Sequence, residues 1–283
     1  MRALYILIFV LLIYAVTRRV VRSHLDSLKI HRAVNESAVF SLTTLPSRAK
    51  KIYPTLYSLL DQTLPLKIEI HIPERANPEP NRKYVFSKEI LEHPNIEIIT
   101  HPEDTGPSMK FIPAIQRKRD TPVHIISVDD DMIYPRGLAE ALVKAADNDG
   151  ESIHCVRGNR FKGKASYYSS PTVHSKDISA RKQVAIVTGC GGYIIPAKVG
   201  EKLRGVISDY SKAPKECRIM DDVWISGIAS RLGVKKYVIP GVEKYVLSIG
   251  SFFTPAYLNP ERDKKNESAI QYFSWGPDEV EEN

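Results

Sequence analysis

The sequence predicts one α/β domain built on an open, mixed but mostly parallel sheet with helices on both faces. Three observations carry this. Strand-like and helix-like segments alternate from residue 38 onward. An apolar strand runs straight into three aspartates, at the end where open α/β sheets place ligands. A chain of 283 residues with 43% hydrophobic content buries a substantial core but leaves little room for two large domains.

Each element follows in order. Val39 to Thr43 reads as the first strand. Ile52, Leu56, Leu59 and Leu60 then recur at helical spacing, and Lys67 to Ile72 alternates polar and apolar as a second strand. Asn77 to Arg82, with two prolines, is a loop. Ile96 to Thr100 makes a third strand, Met109 to Arg117 a short helix, and His124 to Val128 the apolar strand before the aspartates. A helix over Leu138 to Ala146, strands near Ile153 to Arg157 and Val184 to Thr188, and a helix from Val223 to Leu232 complete the pattern. The domain is expected at 38–249, after an apolar and basic segment at 1–24 and a linker at 25–37. Residues 250–283 are polar and irregular, with Pro255, Pro260 and Pro277, and read as a flap or a loose tail.

Lys and Arg total 40 against 33 Asp and Glu, and this net charge of +7 suits a phosphorylated substrate or a membrane surface. The basic residues are scattered and no nucleic-acid module accompanies them, so nucleic acid is not an expected partner. Cys155, Cys190 and Cys217 match neither a zinc pattern nor an even disulfide framework, which favours a reducing compartment and small buried side chains. Ala3 to Val16 is a run of 14 apolar residues between Arg2 and the basic Arg18, Arg19 and Arg22. As a helix it would span about 21 Å against a hydrocarbon core of about 30 Å, short for a spanning segment. No small-x-small cleavage site follows it, so an uncleaved membrane anchor is expected in preference to a cleaved signal or a surface arm. The basic flank favours the cytoplasmic side over the lumen for the domain. Asn35-Glu36-Ser37 and Asn266-Glu267-Ser268 are sequons that matter only in a lumen.

Asp129, Asp130 and Asp131 are the main chemical signal. If they continue the strand, Asp129 and Asp131 share one side, and two carboxylates about 6 Å apart repel by roughly 3 kcal/mol at an effective dielectric of 20. A hard divalent cation, Mn²⁺ or Mg²⁺, compensates them and takes phosphate oxygens as further ligands. The bland alternative is a solvated acidic turn before Pro135. A second pair, Asp221 and Asp222, precedes a helix; capping explains one of the two, and the other, if it faces a cleft, can take a proton from a hydroxyl. Gly189-Cys190-Gly191-Gly192 allows close backbone approach to a ligand or simply a tight turn.

Taken in order, Phe40 to Arg48, Ser58 to Gln62, Gly106-Pro107-Ser108-Met109-Lys110, the triple aspartate with Tyr134-Pro135, the glycine turn ending Tyr193-Ile194-Ile195-Pro196, and Asp221-Asp222-Val223-Trp224 resemble the glycosyltransferase A-type nucleotide-sugar transferases, especially small family-2-like enzymes. The resemblance covers most of 38–245 and implies a Rossmann-like nucleotide-diphospho-sugar transferase domain. It implies transfer of one sugar from a UDP-, GDP- or dTDP-linked donor to a hydroxyl of a glycan, glycolipid or glycoprotein, metal-dependent and inverting. By the same resemblance Thr43, Thr44, Pro46 and Arg48 line the nucleotide pocket with Lys110, Asp129 and Asp130 contact donor, and Asp131 is the firmest metal ligand with Asp129 beside it. Gly191 and Gly192 would wall the sugar, Asp222 would be the base with Asp221 as alternative, and Trp224 would flank the acceptor. The signature of processive synthases is absent, which favours single addition. A sugar nucleotidyltransferase and a non-catalytic, membrane-anchored cation-binding protein are the rival readings; the first lacks its glycine-rich phosphate loop after strand one.

Overall fold

The computed structural model describes residues 33–248 and 261–281. The expected anchor at 3–16 lies outside these residues, and among the described residues no helix is long and apolar enough to cross a membrane.

Eight strands form the central sheet: β1 (Ala38–Leu42), β2 (Lys67–Pro73), β3 (Ile96–His101), β4 (His124–Ser127), β5 (Ile153–Cys155), β6 (Lys182–Gln183), β7 (Tyr193–Ile195) and β8 (Lys236–Val238). Their order is β6-β8-β5-β7-β4-β1-β2-β3. β3, β2, β1 and β4 run parallel, as do β5 and β8; β7 is antiparallel to both β4 and β5, and β6 to β8. The expected mixed, mostly parallel sheet is therefore present.

Both faces are covered, and the strands show it residue by residue. Ala38, Phe40 and Leu42 of β1 point into one core while Val39 points into the other. Ile126 and Ile125 of β4, and Ile194 and Ile195 of β7, divide the same way. One face is packed by α1 (Tyr53–Leu60) and α2 (Leu138–Asn148), the other by α3 (Ala197–Arg204) and α4 (Asp221–Arg231). α5 (Arg262–Gln271) lays Ala269 and Ile270 against this second core. Phe273 follows it, and Gly227 of α4 is required there: a Cβ would meet the Phe273 ring at 2.3 Å.

The end of the chain is likewise held. The Lys236 ammonium is wholly buried; it pairs with Glu279 and donates to Ser230 Oγ at 2.6 Å and the Ser226 carbonyl at 3.2 Å. Burial lowers its pKa and Glu279 opposes the shift. Of the two expectations for the C-terminal segment, flap or loose tail, this packing removes the loose tail for residues 261–281.

Several boundaries differ from expectation. The helix expected over Met109 to Arg117 is a 3₁₀ turn, Gly106–Lys110, followed by a separate short helix, Ile112–Gln116, with Pro113 in its first turn. α4 begins two residues earlier than expected, with Met220 at its N-cap, so Asp221 and Asp222 both lie in the first turn and neither caps it. β7 was not separable from the glycine turn, being three residues between Gly192 and Pro196.

Candidate active site

The loops after β1 and β4, the 106–110 turn and the start of α4 open into one cleft of about 790 Å³. Thr43, Thr44, Arg48, Lys110, Asp129, Asp130, Asp131, Asp221 and Asp222 all line it. Nine residues chosen on sequence grounds thus meet in a space of the size that holds a nucleotide-sized ligand. Pro46 is buried beside the first loop and is not part of the lining.

β4 ends at Ser127, so the three aspartates sit in a turn beyond the strand and do not alternate as strand residues would. Asp129 turns to the Lys110 ammonium at 2.6 Å. Asp130 and Asp131 share the Arg48 guanidinium, the latter at 2.8 Å. Thr44 donates to Asp130 at 2.5 Å, and Thr55 of α1 donates to its carbonyl at 2.9 Å. Burial pushes the Asp130 carboxyl up to about 6, with Arg48 and Thr44 pulling it down and Asp131 and Asp129 adding to the rise. Burial raises Asp131 as well, and Asp129 adds to it.

Lys110 joins the two acidic motifs. Its ammonium lies 2.6 Å from Asp221 and 3.6 Å from Asp222, in addition to Asp129. The side chain is only 6% exposed, and its carbonyl accepts from Ser41 of β1 at 2.6 Å. Burial alone would lower the Lys110 pKa; Asp129, Asp221 and Asp222 together hold it well above the ordinary value. Asp222 accepts from the Gly189 amide at 3.0 Å and keeps 32% of its side chain exposed. Burial pushes its carboxyl up to about 7 against the pull of Lys110, with Asp221 and Asp129 adding to the rise.

Three placements correct the sequence reading. The glycine that faces the site is Gly189, where a Cβ would lie 2.3 Å from the Lys110 ammonium and 2.6 Å from Asp129. Gly191 packs on Arg157, and Gly192, at φ 80°, on Leu138, so neither walls the cleft. Trp224 is fully buried: its indole donates to the Ile207 carbonyl at 2.8 Å and stacks on Tyr210 at 4.2 Å. One turn position into α4 it faces the core, so it cannot touch an acceptor.

Other residues at the site escaped the sequence reading. Tyr134 accepts from the Asp129 amide at 2.8 Å and donates to the Gly189 carbonyl at 3.2 Å, tying the aspartate turn to the glycine turn. A tyrosine three residues after an acidic run was the available signal. Tyr84, Asp104, Lys215, Arg218 and Arg262 also line the cleft. Tyr84 and Asp104 come from loops, Lys215 and Arg218 from a 3₁₀ turn and Arg262 from the first residue of α5, and nothing in their spacing marks them.

Among the described residues no three His, Cys, Asp or Glu side chains are arranged to hold a metal by themselves. The donor set nevertheless fits one. Among the described residues Asp129, Asp130, Asp131, Asp221 and Asp222 form ion pairs with Arg48 and Lys110, and burial, with the neighbouring carboxylates adding to it, raises Asp130, Asp131 and Asp222. Hard cations of the Mg²⁺ class commonly use one or two carboxylates and complete their shell with phosphate oxygens and water. Asp131 and Asp129 suit that part.

No curated protein matches the chain in sequence. Among solved structures, a crystal structure of GalNAc-T7 with UDP, GalNAc and Mn²⁺ is similar at 10% identity and a TM-score of 0.48, covering 72% of this chain and 42% of that one. The chain thus spans less than half the length of that neighbour. The mixed, mostly parallel sheet with helices on both faces is that of the glycosyltransferase A-type fold. Residues 46–198, more than half of the 283, match the glycosyl transferase family 2 model; the chain belongs to that family.

Proposed function

We propose that the enzyme transfers a single sugar, with inversion, from a nucleotide-diphospho-sugar to the hydroxyl of a glycan, glycolipid or glycoprotein acceptor. The observation that carries this reading is the meeting of Asp129–Asp131 and Asp221–Asp222 around Lys110 in one cleft. Asp222 is the base. It is more exposed than Asp221, its pKa of about 7 suits proton acceptance near neutrality, and the Gly189 amide fixes its orientation. Asp221, closer to the Lys110 ammonium, serves to hold that lysine between the two motifs.

Arg48 and Thr44 hold Asp130 in place for the donor, and Tyr134 fixes the backbone of Asp129. Asp131 and Asp129 would hold Mn²⁺ or Mg²⁺, which when bound supplies positive charge for the departing diphosphate. Removal of the acceptor proton by Asp222 frees the oxygen to form the new bond as the bond to the diphosphate breaks, and a single displacement of this kind inverts the anomeric centre.

The full chain should hydrolyse or transfer from one of the UDP-, GDP- or dTDP-sugars only with Mn²⁺ or Mg²⁺, and Asp131→Ala should lose that turnover. The first-formed anomer, read by proton NMR, should be inverted. Failure to bind any donor, with Asp131→Ala indistinguishable from the parent, would leave the triple aspartate as an acidic turn and end this reading. Retention of configuration would end the base assignment alone.

A further inference from the structure

Of the cations that line the cleft and are not used by the reading above, two share one turn. Lys215 and Arg218 belong to the 3₁₀ turn Lys215–Arg218 that leads into α4, and both line the cleft with Asp221 and Asp222. Arg48 and Lys110 are neutralised by the aspartates they hold, whereas among the described residues neither Lys215 nor Arg218 is ion-paired to a carboxylate.

Arg218 is nonetheless held in place. Its guanidinium lies 4.8 Å over the ring of Tyr210, which stacks on Trp224 at 4.2 Å and donates to Ser108 Oγ at 2.9 Å. Its carbonyl packs on Gly106, at φ 69°, where a Cβ would stand 2.9 Å away. The backbone is therefore fixed from the donor-side turn and the side chain from an aromatic stack rooted in the core. An arginine supported on an aromatic face while its edge stays open is suited to bidentate recognition of an oxyanion. Ile219, 46% exposed, continues the same lip with apolar surface.

We propose that Lys215 and Arg218 form an oxyanion subsite on the acceptor side of the cleft, so that the acceptor carries a phosphate or carboxylate group beside the hydroxyl that is glycosylated. This rests on the transferase reading and names its acceptor class. The position favours acceptor over donor, because the turn is continuous in sequence with the Asp221–Asp222 pair while the nucleotide side has Arg48 and Thr44. An anion brought close to a carboxylate base would repel it, and the two cations offset that repulsion.

The test uses the full chain with Mn²⁺ and a mixture of UDP, GDP and dTDP, so that the donor position is filled. Binding of glucose 6-phosphate, glucuronate and glucose is then followed by titration calorimetry. The parent should bind one of the two anionic sugars at least about tenfold more tightly than glucose, the loss expected when one charge-assisted contact is removed. Which of the two binds separates phosphate from carboxylate. The preference should vanish in a Lys215→Ala, Arg218→Ala double variant and return in part with Lys215→Arg, Arg218→Lys, with nucleotide affinity that of the parent throughout.

Equal binding of all three sugars, or none, to a parent that binds nucleotide overturns the proposal alone. A fall in nucleotide affinity matching the fall for the anion also overturns it, assigning the cations to the donor diphosphate. A parent that binds no nucleotide sinks the transferase reading and the acceptor class with it.

Discussion

Arg48 and Lys110 hold the same acidic turn from two sides, and they do it in different ways. Arg48 bridges neighbours in sequence, Asp130 and Asp131, from a side chain 23% exposed in the loop after β1. Lys110, 6% exposed, bridges carboxylates more than ninety residues apart, Asp129 with Asp221 and Asp222. The first contact orders one turn. The second closes the site, since among the described residues Lys110 is an ion-pair partner shared by the aspartate turn and the start of α4. A cation on the rim can exchange partners when a ligand arrives, whereas one at the centre must keep them for the cleft to exist.

Lys110→Met breaks that comparison most sharply. Methionine fills much of the volume but leaves three carboxylates around an uncharged side chain, and removing one partner of a buried ion pair costs about 3 to 5 kcal/mol. Because Asp129 and Asp222 are partly exposed, the lower end of that range is expected. The variant should melt well below the parent and lose transfer, and adding Asp221→Asn should recover part of the melting temperature through their coupling. A melting temperature equal to the parent's would show that Lys110 is not the link.

Arg48→Ala is the sharpening counterpart. Asp130 already sits near 6, so it can take up a proton when its partner is removed. The expected loss of stability is therefore smaller, about 1.5 to 2 kcal/mol at the low end of the scale for a lost charged hydrogen bond, and smaller at pH 6 than at pH 8. Denaturant titration at the two pH values measures it. A loss larger than that of Lys110→Met would reverse the ranking of the two cations.

The same contrast explains what was legible in the sequence. The sheet could be read because β1, β2 and β4 carry continuous or alternating apolar residues, and the acidic motifs because carboxylates at strand and helix ends have few other uses. That Thr43, Thr44, Arg48 and Lys110 share a cleft with both motifs followed from a family resemblance, not from spacing. What failed was direction. Trp224 lies two residues from Asp222, yet a helix turns about 100° per residue, and that rotation carries it from the cleft into the core. Gly189 and Gly191 are likewise two residues apart in a 3₁₀ turn and face different neighbours. Arg218 was invisible because long-range packing on Tyr210 and Gly106, not local pattern, puts it at the lip, and Lys215 belongs to the same 3₁₀ turn.

The smallest effect is the pH dependence of stability, where two regions act with opposite sign. In the cleft, Asp130 and Asp222 stand at about 6 and about 7, above the ordinary 3.8. Between these values the folded protein holds protons that the unfolded chain has released, so stability falls as pH rises from about 4 to about 7 and is level above. On β2, next to the edge strand, Glu69 is held at about 2, below its ordinary 4.5: burial would raise it, but hydrogen bonds from His71 and Arg119, with their charges, outweigh that. Arg117 also reaches it, at 2.9 Å. For Glu69 the unfolded chain takes up the proton first, so its contribution is complete above 4.5 and is lost as pH falls toward 2. For these three groups the opposing trends cross at about pH 4, below which the Glu69 contribution is lost and above which the cleft contribution declines. Mn²⁺ with a nucleoside diphosphate should flatten the limb above it, because ligands that need ionised carboxylates favour the deprotonated cleft. Melting temperatures from pH 4 to pH 8, with and without Mn²⁺ and nucleotide, read this directly. A free protein more stable at pH 8 than at pH 5 would mean that the cleft carboxylates are already fully compensated by Arg48 and Lys110, and that the central lysine neutralises more than the geometry assigns to it.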